Sequence, residues 1–179
     1  MSRPTCCKLS TTQVISRTGL SPAMASLSRP FRYVLCYHLQ APPISLFPSH
    51  DSSAVDRVNA RTLWSRDISS YTGISIDGAR IYLSHTGGAV YSLAIESGKT
   101  YWRQGDLLNR KLSTPLGMGD YVAVGDLEGY IHILDKETGQ FLGRIRLDDE
   151  PVMRRLVEFE TGKFLAQTRN GGIYAIAIQ

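Results

Sequence analysis

A glycine-led strand motif returns at a fixed interval, and this restricts the chain to architectures assembled from stacked repeats. Gly88 opens the string GAVYSL, Gly129 opens GYIHIL and Gly171 opens GGIYAI. The three glycines stand 41 and then 42 residues apart. A second pair of glycines, Gly98 and Gly139, is also separated by 41 residues. A partial copy runs from Val55 to Trp64, with Trp64 38 residues before Trp102.

Each unit reads as four short strands. In the middle unit the first is Ser113 to Leu116, and Gly119-Asp120 form a turn. Tyr121 to Val124 is the second strand, rich in β-branched and aromatic residues. Asp126 to Gly129 close a hairpin. Tyr130 to Leu134 is the third strand, and Gln140 to Leu147 is the fourth. The preceding unit turns at Asp77-Gly78 and at Thr86-Gly87-Gly88. No segment sustains a 3.6-residue period, which argues against helix.

Four strands in about 41 residues is the arithmetic of a propeller blade. A sandwich gives no reason for turn chemistry to recur at a fixed interval. The expected fold is therefore all-β: a partial β-propeller of about three four-stranded antiparallel blades plus part of another, with an irregular N-terminal tail. Gly88, Gly129 and Gly171, with Gly98 and Gly139 in the outer turns, are expected at positive φ. Trp64 and Trp102 are expected to fill the space between neighbouring blades.

Composition divides the chain near residue 54. Residues 1–54 carry Arg3, Lys8, Arg17, Arg29 and Arg32 against Asp51 alone. They also hold Cys6, Cys7 and Cys36, which are all the cysteines. Residues 55–179 are neutral, so the net charge of +4 belongs to the first segment. A nucleic-acid binder clusters its basic residues on a folded surface, and this distribution argues against that class. Residues 1–54 are read as an irregular, disordered or non-native segment, such as a misassigned start would produce. Residues 55–179 are read as the blades. No apolar run reaches the length of a membrane span, and no secretory h-region opens the chain.

The outer-turn strings from Asp135 to Gly139 and from Gly98 to Trp102 resemble the repeat of quinoprotein-type propellers. A longer set is more particular: YWRQGDLLNR from Tyr101 to Arg110, LSTP from Leu112, and VGDLEGYI from Val124 to Ile131. With QTRNGGIY from Gln167, it resembles the C-terminal blades of the BamB family, the B-subunit lipoproteins of the bacterial outer-membrane β-barrel assembly machinery. The resemblance covers about 125 residues. It implies a non-enzymatic scaffold at the periplasmic face of the outer membrane. The implied partners are the barrel-assembly insertase, its accessory lipoproteins and unfolded β-barrel precursors. The implied membrane link is a lipid on an N-terminal cysteine.

Two departures from that family stand out. Its members have about eight blades, on the order of 330 residues at this period, so this chain reads as a truncated form. The last unit stops after its third strand, and the N-terminal segment that would supply a fourth does not read as a strand. No lipid-attachment motif is visible either. Tyr33 to Cys36 is the nearest candidate, and it lacks a small residue before the cysteine.

No catalytic, cofactor-binding or metal-ligating residues are assigned. The alternative class is a fragment of a pyrroloquinoline-quinone-dependent dehydrogenase propeller, for which Cys6-Cys7 is the only suggestive feature. Asp77, Asp120, Asp126, Glu128, Asp135 and Glu137 sit where turn-forming acids are expected. His85 and His132 have no spaced partner and read as surface or packing residues. For partner binding, the sequence favours the link between two blades: Asp106, Leu107, Leu108 and Arg110. The plainer reading of that link is that both leucines pack between blades.

Overall fold

The computed structural model describes residues 9–14, 44–48, 52–56 and 61–178. Fifteen strands make up its regular structure, and no helix occurs among these residues. They form four antiparallel sheets.

The first sheet contains β2 (Ile44–Pro48), β3 (Ser52–Asp56) and β4 (Thr62–Arg66), in that order. The second is a meander of β5 (Ile74–Asp77), β6 (Arg80–Ser84), β7 (Val90–Ala94) and β8 (Thr100–Gln104). The third repeats it with β9 (Leu116–Met118), β10 (Tyr121–Gly125), β11 (Tyr130–Asp135) and β12 (Phe141–Arg146). The fourth contains β13 (Val157–Glu160), β14 (Lys163–Gln167) and β15 (Ile173–Ile178), and β1 (Leu9–Val14) lies along the outer edge of β15. This is the expected set of three four-stranded blades and part of another.

The core lies between sheets, because successive side chains of a strand point to opposite faces. Ile81, Leu83 and Leu93 face Ala54 and Trp64 of the first sheet. Their neighbours Tyr82 and Val90 face Val122, Val124 and Leu134 of the third. Ala123, Ile131 and Ile133 turn the other way, toward Phe164, Ala166 and Ile176 of the fourth. A blade buried on both faces needs apolar residues at consecutive positions, which explains the unbroken runs in β6 and β10, and β11 keeps the pattern apart from His132. The fourth sheet differs. Its far face carries Leu165 and Ala175, which are half-buried, and Val157 and Ile173, which are exposed.

Trp64 and Trp102 tie blade to blade in the same way. The Trp64 indole donates to the Ile95 carbonyl at 2.8 Å, and Trp102 donates to the Lys136 carbonyl at 2.8 Å. Each ring lies against a glycine of the next blade. A Cβ on Gly98 would sit 2.6 Å from the Trp64 ring, and one on Gly139 would sit 2.5 Å from the Trp102 ring. Gly98 and Gly139 have φ of 64° and 71°. Gly88, Gly129 and Gly171 have φ of 91°, 82° and 93°. Two of these hairpin glycines are also crossed by the following link. A Cβ would meet the Leu107 carbonyl at 2.4 Å from Gly88, and the Asp148 carbonyl at 2.1 Å from Gly129.

The structure corrects one strand of the sequence reading. The first strand of the third sheet is Leu116–Met118, not Ser113 to Leu116. Proline has no N–H for a ladder, and Ser113-Thr114-Pro115 instead tie sheets together through side chains. Ser84 Oγ donates to the Ser113 carbonyl at 2.7 Å, and Gly73 N–H donates to Thr114 Oγ1 at 2.9 Å.

Within residues 1–54, read from the sequence as an irregular, disordered or non-native segment, the described residues lie in strands. They contain β1, β2 and the start of β3, and the 54/55 boundary falls inside β3. β1 pairs with β15, with Leu9 opposite Ile178 and Thr11 opposite Ile176. Its sequence, LSTTQV, has the β-branched content of an edge strand, and it covers an edge that would otherwise offer unpaired N–H and C=O groups. Cys6, Cys7 and Cys36 lie outside the described residues.

Candidate functional site: the link between the second and third sheets

Residues 105–115 carry the chain from β8 to β9. The link is anchored at both ends. Asp106 N–H donates to Gln104 Oε1 at 2.9 Å, and Leu127 N–H donates to the Arg110 carbonyl at 2.9 Å. Asn109 and Lys111 take left-handed backbone conformations, with φ of 63° and 48°, a region that few non-glycine residues adopt.

The structure separates the four residues the sequence had grouped. Leu107 is 2% exposed and packs in the core between the second and third sheets. Leu108 is 58% exposed. The Arg110 guanidinium reaches Asp126 Oδ2 at 2.7 Å and Glu128 Oε2 at 2.9 Å. Asp106, Leu107 and Arg110 line one side of a cavity of about 390 Å³, and His132 of β11 with residues 141–144 of β12 line the other.

Behind the cavity lies a buried polar network. Asp126 follows β10, and its carboxylate is fully enclosed. Oδ1 accepts from the Glu128 and Tyr130 amides at 2.9 Å each. Oδ2 accepts from Arg110 and lies 2.8 Å from His132 Nε2. Burial pushes the Asp126 carboxyl up, but the bonds from His132, Tyr130 N–H and Arg110 outweigh it, and the net direction is down. The group is therefore ionised near neutrality and can only accept hydrogen bonds. His132 is 2% exposed, and its ring meets Phe141 edge-on at 5.9 Å.

Sequence reasoning took Asp126 as a turn former and His132 as an isolated packing residue. Asp126 does form the turn, and it also holds His132. The signal was the hairpin itself. Val124 pairs with His132 across it, so an acid two residues past Val124 can reach back to the histidine. His85 is placed differently: its Nδ1 accepts from Gly87 N–H at 2.9 Å.

A second cavity, of about 440 Å³, opens where the inner strands β5, β9 and β13 converge, between Asp77, Gly117 and Val157. Among the described residues no three His, Cys, Asp or Glu side chains are placed to hold a metal ion together.

Antiparallel meanders laid face to face, the first three joined in turn by a tryptophan over a glycine, define this molecule as a set of β-propeller blades of the quinoprotein type. The family model for "Outer membrane protein assembly factor BamB" matches residues 45–104 and 86–179. The chain belongs to that family. The protein of this name from Escherichia coli K12 is 35% identical over 124 residues, which is 69% of this chain and 31% of the relative. The Pseudomonas aeruginosa protein is 36% identical over 121 residues, 68% of this chain and 31% of the relative. The crystal structure of BamB from Moraxella catarrhalis superposes with a TM-score of 0.67 at 25% identity, over 75% of this chain and 39% of that one. The chain thus spans about a third of the length of the curated relatives it matches. The match beginning at residue 45 brings β2 after Ile44 and all of β3 into family sequence.

Proposed function

We propose that the chain acts as a non-enzymatic scaffold in outer-membrane β-barrel assembly, at the periplasmic face of the outer membrane. It binds the barrel-assembly insertase and its accessory lipoproteins and helps hold unfolded barrel precursors. The observation that carries this reading is the family match, which runs through all four sheets. The geometry supports it. The blades are tied to one another by inter-sheet bonds, and loops on such a scaffold commonly bind partners. The link from Asp106 to Arg110 contributes to partner contact through Leu108, whose side chain stands in solvent while Leu107 holds the backbone in place.

The test is co-precipitation of the purified periplasmic domains of the insertase with the whole 179-residue chain. Binding is expected. Leu108→Asp leaves the core untouched and is expected to weaken binding by about tenfold, or ~1.4 kcal/mol. Failure of the unaltered, folded chain to bind would overturn the scaffold reading. Equal binding by Leu108→Asp would remove the link from the contact surface and leave the scaffold reading standing.

A further inference from the structure

Two sheet faces have no sheet laid on them among the described residues: the face of the fourth sheet turned from the third, and the face of the first turned from the second. The repeat shows what each is shaped to meet. In the third sheet Ala123 pairs with Ile133 and Ile131 pairs with Gly125. Ala123, Ile131 and Ile133 are fully buried, against the fourth sheet. At a spacing of 42 residues, Leu165 pairs with Ala175 and Ile173 with Gln167, in the same register. There Leu165 and Ala175 are half-buried and Ile173 is 37% exposed. Val157, opposite Leu165 on the same face, is 54% exposed. The fourth sheet thus carries, uncovered, the face that the third buries against its successor.

The free face of the first sheet is the other half of such a joint. In the second sheet Ser92 pairs with Trp102, and Leu93, past a bulge, pairs with Thr100. Leu93 is fully buried, against the first sheet. In the first sheet Ala54 pairs with Trp64, and Val55, past the same bulge, pairs with Thr62. Val55 therefore holds the position of Leu93, on the side where the second sheet receives its predecessor. Ser53 and Ser65, paired across the same face, are small and uncharged. A neighbouring sheet can approach them closely without burying a charge.

We infer that these two faces bind each other between two copies of the chain, the fourth sheet of each copy lying on the first sheet of the other. The occupant is a second copy because one chain carries both halves of the joint, each at repeat-equivalent positions. A contact between unlike faces either closes into a ring or runs on as a filament. Propeller rings hold roughly four to eight blades. Two copies of four sheets reach the upper end of that range, and three copies pass it. Closure makes the joint twice, and the second forms within a pair already held together. The inference is independent of the scaffold reading, since its test needs this chain alone.

The experiment is sedimentation of the purified, folded 179-residue chain over a dilution series. A species of two chains is expected, with no larger one growing from it. Ile173→Asp and Val55→Asp each place a carboxylate in the joint, at positions outside the three core clusters. The ring contains the joint twice, so a loss of about tenfold per joint reads as about a hundredfold rise in the dissociation constant of the pair. Leu127→Asp, at an exposed apolar position beyond β10 and on neither face, should leave pairing unchanged. Each variant should keep the circular dichroism of the unaltered chain. Where one does not, Val157→Asp or Thr62→Asp, at exposed positions on the same two faces, takes its place. A single-chain mass for the unaltered protein would overturn the inference. Pairing lost in Ile173→Asp but kept in Val55→Asp would set fourth sheet on fourth sheet and overturn it too, as would open-ended growth into larger species.

Discussion

Asp126 links a hairpin, an inter-blade link and a buried ring through one carboxylate, and its ionisation is therefore coupled to folding. Its folded pKa lies below the ordinary 3.8. A carboxyl depressed in the folded state stabilises the protein above the unfolded value, and that stabilisation is lost as pH falls through the folded value. Asp126→Asn is expected to lose about 3 kcal/mol at pH 7, since a buried pair broken on one side leaves Arg110 and His132 poorly matched. The urea-unfolding difference between the variant and the unaltered protein should stay constant from pH 7 to about 5 and narrow below about pH 4. A difference that does not change with pH would mean that the carboxylate charge contributes nothing. At this scale the sequence was only partly legible. Turn chemistry identified Asp126 as a hairpin acid, because that role depends on local spacing. Its bond to Arg110 bridges the link and the hairpin and depends on where β8 hands over to β9, which no local pattern encodes.

Strands and their joints were more legible than contacts, for a physical reason. A blade buried on both faces imposes apolar residues without gaps, and the tight turns between strands impose glycine; both marks repeat with the blade. β6 and β10 could be read that way, and β11 apart from His132. β9 could not, because it is three residues long and sits beside Pro115, and β1 could not, because nothing local joins it to the last blade. The tryptophan joint yields a quantitative prediction. Gly139→Ala places a Cβ both at a φ of 71° and against the Trp102 ring. Gly119→Ala meets a φ of 51° with open space around it. The backbone conformation alone costs about 1–2 kcal/mol, so Gly119→Ala should lose about that much. Gly139→Ala should lose about 1–3 kcal/mol more, by displacing the indole and its bond to the Lys136 carbonyl. Chemical denaturation of the two variants side by side gives the difference. Equal losses would mean that Trp102 moves aside without cost and that the joint does not fasten the blades.

On the scale of the whole molecule, the first described strand and the last share a sheet. β1 lies along β15, so residues 9–14 are held beside residues 173–178. A contact of such sequence separation forms late and at high loop-closure entropy, and it makes the fourth blade the one whose integrity depends on both regions. The same blade has exposed apolar side chains, Val157 and Ile173, on the face turned away from the core. Loss of β1 would add an unpaired edge to that face, a combination that favours association with other chains. Thr11→Pro tests this without shortening the chain, because Thr11 stands opposite Ile176 and proline removes a backbone donor while resisting the sheet geometry. Hydrogen exchange read by mass spectrometry should show the amides of 173–178 that point away from β14 exchanging at least about tenfold faster, or ~1.4 kcal/mol of lost protection. Peptides from β5 to β8 should be unchanged, since their core lies two joints away. Sedimentation should show self-association appearing in the variant at concentrations where the unaltered chain shows less. Unchanged protection across 173–178 would show that β15 holds its place through β14 and the core alone, and that β1 contributes pairing without stability.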